Sequence, residues 1–182
     1  MGKGGTVLGL IGIILGAGGL VLGYLNWTGQ SSNSTQNKVV GIWDSVTDNL
    51  DFIPFNSQNF WLFEFGDNKL NNTDYISISN NNTRITLLKT GWYRIHLNVL
   101  LSNIGASETY WTEVYIDGTY EFSLDRHQTS AILDSSDHYI DSSGFIFSDG
   151  TTYFEICVYT VSDDVYVYLD QFNQFKIEYL AT

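Results

Sequence analysis

The hydrophobic pattern changes period once along the chain. Residues 4–25, GGTVLGLIGIILGAGGLVLGYL, contain no charged side chain. In a helix they rise about 33 Å, enough for a hydrocarbon core of roughly 30 Å. Gly2, Gly5, Gly9, Gly12, Gly16, Gly19 and Gly23 recur at alternating spacings of three and four, a heptad rhythm that draws one smooth stripe along such a helix. The stripe contains the Gly-x-x-x-Gly pairs Gly5/Gly9, Gly12/Gly16 and Gly19/Gly23, while Leu8, Leu10, Ile11, Ile14, Leu15, Val21 and Leu22 cover much of the rest. Glycine weakens a helix in water, but small seams let helix backbones approach in lipid, where apolar burial gives no drive to associate. The pattern predicts a self-associating transmembrane helix over 1–25, a glycine zipper. A cleaved secretory signal and an apolar tail buried in an assembly are the alternatives. Lys3 precedes the run and no basic residue follows until Lys38, so the positive-inside rule predicts a single pass with the N-terminus cytoplasmic and the remainder extracellular. Met1-Gly2 with Thr6 also fits a myristoylation pattern.

Residues 26–38, NWTGQSSNSTQNK, are polar and aperiodic, and read as a linker. From residue 39 to 182 the period is two. Tyr93, Ile95, Leu97, Val99 and Leu101 alternate with Trp92, Arg94, His96 and Asn98, which gives a strand with one core face and one more polar face. The same alternation marks strands at Val114–Ile116, Phe154–Val158, Val165–Leu169 and Phe175–Tyr179, with weaker ones near Val40–Val46, Phe60–Phe65, Tyr75–Ser79, Ile85–Leu88 and Tyr139–Phe147. Turn residues separate them: Gly66-Asp67-Asn68, Asn80-Asn81-Asn82, Asp117-Gly118, Asp149-Gly150 and Asp163-Asp164. Nothing between them resembles a crossover helix. Eight to ten short strands therefore predict an all-β antiparallel sandwich, of which a jelly roll is a natural form.

Composition sharpens this picture. Aromatics make up 15% of the chain, which favours strands. Beyond Lys3 there are seven basic and twenty acidic side chains, a formal charge of −13. A domain of that charge repels phosphate backbones, which argues against a nucleic-acid partner. The one cysteine, Cys157, has no disulfide partner in the chain and sits in an apolar alternating segment, where a buried inert thiol is expected.

The candidate chemistry is sparse. His96 lies on the outward face of the long strand, and His127 and His138 fall in or beside stretches that read as loops. No spacing suits zinc, and no glycine-flanked nucleophile elbow or phosphate-cradling loop occurs. No enzyme active site is predicted and no cofactor is required. Asp134, Asp137 and Asp141 cluster in sequence and could contribute to a calcium site, although their spacing is not that of an EF-hand loop. Sequons begin at Asn26, Asn33, Asn71 and Asn81. Tyr153 and Tyr159 share one strand face with Glu155, and Tyr166 and Tyr168 share another. These tyrosines exceed what one core must absorb and suit an oligomer interface, together with the glycine stripe.

The segment Thr83 to Ser102, TRITLLKTGWYRIHLNVLLS, resembles the central strand block of complement q-type and tumour-necrosis-factor-like globular heads, with Thr90, Gly91 and Tyr93 on their Thr-Gly-x-Tyr motif. Gly144 to Asp163 is similar to the later strand pair around a Gly-Asp-type turn, here Asp149-Gly150, and Asp170 to Leu180 is similar to the closing strand. The departures are the missing collagen region and the missing glycine after Phe172. The resemblance implies a ten-stranded jelly roll, a tight homotrimer, and ligand or receptor binding without catalysis. The combined expectation is a membrane-anchored cell-surface protein whose trimeric head binds an extracellular protein or glycan. A virion spike, capsid or filament subunit and a secreted jelly-roll hydrolase are the rival readings.

Overall fold

Strand β5 (Thr90–Ser102) carries the alternation that organises the structure: Gly91, Tyr93, Ile95, Leu97, Val99 and Leu101 are buried, and the residues between them are not. The computed structural model describes residues 37–49, 60–131, 137–161, 165–168 and 173–181. The predicted anchor over 1–25 and most of the linker lie outside them. Along one flank β5 pairs in unbroken antiparallel register with β8 (His138–Asp149), from Thr90↔Asp149 to Leu101↔His138. Along the other it pairs with β11 (Gln174–Ala181) and, at its far end, with the short β10 (Tyr166–Val167). Strand β11 in turn pairs with β1 (Lys38–Asn49), completing a first layer.

The second layer runs β3 (Ile76–Ser79), β4 (Arg84–Leu87), β9 (Tyr153–Thr160), β6 (Thr109–Ile116) and β7 (Thr119–Gln128). Strand β2 (Phe60–Asn71) belongs to both, pairing with β1 over most of its length and with β9 at Phe60–Leu62. Neighbouring strands are mostly distant in sequence, and every pairing is antiparallel. The arrangement is the expected jelly-roll sandwich, with eleven strands among the described residues.

Aromatic rings fill the space between the layers. Phe175 of β11 stacks on Phe65 of β2 at 4.4 Å, lies 5.5 Å from Trp43 of β1, and reaches Phe154 of β9 in the opposite layer at 6.2 Å. Each such pair adds about 0.5–1.5 kcal/mol beyond the area it buries. Their gain offsets the Trp43 indole N–H, which is buried without a hydrogen-bond partner among the described residues. An unpaired group of that kind costs about 1–3 kcal/mol.

The Thr-Gly-x-Tyr stretch now has a physical explanation. Thr90 Oγ1 donates to the Asp149 carbonyl at 2.8 Å and starts the β5–β8 ladder. Gly91 has φ of 141°, and a Cβ there would stand 3.0 Å from the Tyr179 ring. The Tyr93 hydroxyl accepts from the Lys89 N–H and donates to the Lys89 carbonyl, both at 3.1 Å, closing the turn that enters the strand. Burial pushes its pKa up to about 12, so it stays a donor throughout the physiological range.

Two expectations needed revision. Strand β7 was not predicted, because Phe122 and Leu124 are only half buried and acidic residues surround them. It follows β6 through Asp117-Gly118, whose φ values of 50° and 79° fit a two-residue hairpin turn. Consequently His127 lies within β7, and His138, expected in or beside a loop, is the first residue of β8.

Gly41 marks a tight point of the core: a Cβ there would lie 2.5 Å from the Trp43 ring and 2.9 Å from Ile76 Cδ1. Gly66 is less crowded: a Cβ there would stand 3.3 Å from Ser45 Oγ, a close contact that a small shift of the serine side chain relieves. Gly41→Ala is expected to destabilise the protein by about 1–3 kcal/mol in denaturant unfolding followed by tryptophan fluorescence. Gly66→Ala should cost clearly less.

Candidate functional site

The outward face of the first layer collects most of the exposed aromatic side chains. Trp92 of β5 and Phe145, Phe147 and Tyr139 of β8 are between 49% and 56% exposed. Trp92 and Phe147 pair across the strands in a T-shaped contact at 5.4 Å. At the opposite end of β5, Tyr166 stands opposite Ser102 and shares this face.

A belt of charge crosses the middle of the face. Arg94 pairs with Glu178 of β11, which also receives the Lys176 ammonium at 2.9 Å. His96 Nε2 meets Asp141 Oδ1 at 2.7 Å, and Asn98, with its amide turned to donate, reaches the same oxygen at 2.8 Å. Strand register produces the belt, since Arg94 stands opposite Glu178, and Asn98 opposite Asp141. Burial opposes ionisation of Glu178, yet the hydrogen bonds from Lys176 and Arg94 hold its carboxyl below the usual glutamate range. Arg94 and Lys176 balance Glu178 and Asp141, so the belt is close to neutral in a chain that is strongly acidic.

The outward face of the second layer also carries aromatics, but they are engaged with one another. Arg126 lies 5.7 Å from the Trp111 ring, Trp111 stacks on Tyr159 at 5.1 Å, and Tyr159 stacks on Phe60 at 4.6 Å. Arg84 covers the Tyr153 ring at 4.1 Å while its Nε reaches Glu155 at 3.0 Å. Beneath this cover Leu62, Tyr115 and Cys157 form a small buried cluster. Burial, and then the carboxylates of Glu113 and Glu155, push the Cys157 thiol well up, which suits the inert role expected of it.

The four predicted interface tyrosines therefore divide. Tyr153 and Tyr159 lie on the second layer, Tyr153 under Arg84 and Tyr159 against Trp111 and Phe60. Tyr166 and Tyr168, near β5 of the first layer, are 41% and 40% exposed. The glycines of the predicted stripe, Gly5, Gly9, Gly12, Gly16, Gly19 and Gly23, are outside the described residues, as is Asp134. Asp137 directly precedes β8, and an extended rise of about 3.3 Å per residue puts it roughly 13 Å from Asp141. Asp141 is turned to His96. Among the described residues no group of three histidine, cysteine or carboxylate side chains converges on a metal position. Ser143 lies opposite His96, whose Nε2 faces Asp141.

Sequence reasoning missed Trp92, Phe145 and Phe147 as a patch. Their signal is the run Phe145-Ile146-Phe147, apolar on both faces of one strand, where an outward face should be polar.

No family model matches the sequence, and no curated protein matches it. The structure is similar to a crystal structure of murine APRIL at pH 8.0, with a TM-score of 0.51 and 10% identity over 76% of this chain and 98% of that one. A second crystal structure of murine APRIL, at pH 8.5, gives a TM-score of 0.51 and 10% identity over 79% and 99% of the two chains. At this identity the likeness shows the fold, that of the tumour-necrosis-factor-like jelly-roll heads.

The Glu178 site makes a pH prediction. A carboxylate held below its ordinary pKa stabilises the fold above that value, and the contribution is lost as pH falls through the folded-state value. Glu178→Gln should therefore lower stability at neutral pH. The difference from wild type should shrink as pH falls below about 4.3, the unperturbed glutamate value. Paired unfolding curves across that range measure it.

Proposed function

We propose that this chain is a membrane-anchored, non-enzymatic ligand whose jelly-roll head assembles as a homotrimer through the outward face of the first layer and presents that trimer to a protein receptor. The observation that supports self-association is the pairing of exposed aromatics with a charge-balanced belt. Trp92, Phe145 and Phe147 cluster on one side of the belt and Tyr139 lies beyond it, and an apolar core divided by polar groups suits an interface, where aromatic residues and arginine are enriched. Four half-exposed rings supply on the order of 400 Å², about half of the roughly 800 Å² per partner in a standard interface.

Charge favours another copy as the occupant. Heads with a large negative charge repel one another, so a self-contact favours a stretch without net charge, and the Arg94–Glu178–Lys176 and His96–Asp141 groups provide one across the middle of the face. The stoichiometry of three and the receptor as partner rest on the likeness to tumour-necrosis-factor-like heads. The anchor, with the head outside the cell, rests on the apolar run over 4–25 and on Lys3. Its glycine stripe would bring three helices together beneath a threefold head.

Phe145→Asp with Phe147→Asp in the full-length protein should lower the mass measured in detergent while leaving the β-sheet circular dichroism intact. An unchanged mass would refute this face as the interface. Separately, Gly9, Gly12 and Gly16 changed together to Leu should weaken the oligomer more than equally large apolar replacements at Leu10, Ile11 and Leu15. Equal effects would remove the stripe from the assembly.

A further inference from the structure

Two histidines meet where the edges of the layers approach. His127 of β7 stands opposite the buried Tyr110, so it points between the layers, and Asp125, opposite the buried Thr112, does the same. His138 of β8 stands opposite the buried Leu101 and points into the same space from the other layer. The two imidazoles stack face to face, 3.8 Å between centroids and 14° from parallel. His138 Nε2 lies 2.8 Å from Asp125 Oδ2, a second link across the gap. Beside them Ser142 Oγ donates to the Leu124 carbonyl at 2.6 Å, and the Phe122 ring lies against Gly144, where any Cβ would collide with it. The layers are thus held together along this edge by side chains, since among the described residues β7 pairs only with β6, and β8 only with β5. Parallel stacked rings hold their lone pairs in separate planes, so this arrangement does not close on a metal ion. The chemistry left to it is that of the proton.

We propose that the His127–His138 stack, with Asp125, is an acid-released latch between the two layers, closed while the pair carries at most one proton and opened when both rings are charged. A positive charge on His138 faces the Asp125 carboxylate. A second charge on His127 would face the charged His138 ring across the stack. The remaining groups offer it little relief: the Tyr110 hydroxyl is turned to the Gly105 N–H at 2.6 Å, Arg126 is turned to Trp111 on the outer face, and Asp137 is exposed ahead of β8. Burial first, and then His138, hold the His127 pKa below its ordinary value against the weaker pull of Asp125. The opened state therefore binds this proton more tightly than the closed one. Closure has its full strength above about pH 6.5, the unperturbed histidine value, and loses it progressively as pH falls below. Tyr139, next to His138, lies on the proposed association face, so opening would disturb that face as well. The latch itself does not rest on the trimer reading.

Hydrogen exchange of the full-length protein in detergent, at about pH 7.5 and about pH 5.5 and corrected for the intrinsic pH dependence of exchange, tests it. Peptides covering 122–128 and 138–144 should exchange several-fold faster at the lower pH, while those of β1, β2 and β9 do not. His127→Phe keeps a stacked ring without a proton site and should abolish the acid response. Asp125→Asn removes the carboxylate facing His138 and should move opening to higher pH. Uniform acceleration in all strands, no acceleration in the wild type, or an acid response that persists in His127→Phe would each overturn the latch. Mass measured in the same samples reads the assembly independently.

Discussion

Everything described for the outer surfaces depends on the interlayer core that Trp43, Phe65, Phe175, Phe154 and Tyr93 build between the two layers. These side chains are fully buried or nearly so. Each large apolar side chain contributes about 1.5–3 kcal/mol on burial. Because strand side chains alternate, anchoring Tyr93, Ile95, Leu97, Val99 and Leu101 inward forces Trp92, Arg94, His96 and Asn98 outward in fixed register. A slip of one residue would exchange the two sets. The core thus specifies which residues can form the proposed association face and fixes their register.

The long strand was legible in the sequence because both of its faces obey the rule of two, one apolar and one polar. So were the antiparallel sandwich and the buried thiol of Cys157. Strand β7 was not, because an edge strand buries little, and Phe122 and Leu124 are diluted by Glu121, Asp125 and Arg126. His127 and His138 read as lying in or beside loops, although the fold sets them face to face at the meeting of two strands that do not pair. Proximity of that kind comes from topology and leaves no local signature.

The candidate site was legible only in part. An excess of tyrosine pointed toward an interface, but alternation within one strand cannot say which layer a strand joins. Tyr153 and Tyr159 stand on the second layer, committed to Arg84, Trp111 and Phe60, while Tyr166 stands with Trp92 and Phe145 on the first. The carboxylates Asp137 and Asp141, close in sequence, are held apart by the extended backbone that carries them. Acidic charge over the whole chain makes the neutral belt around Glu178 informative, since it is where copies of the head could meet without repulsion.

The most direct measurement of self-association through the first layer is photo-crosslinking of the full-length protein. One sample carries a photoreactive side chain in place of Phe145, and a second carries it in place of Tyr120, which belongs to the second layer. Crosslinking from position 145 should give a ladder that ends at three times the chain mass, with little product from position 120. Monomer alone from position 145, or a ladder from position 120 instead, would contradict the assignment of the face.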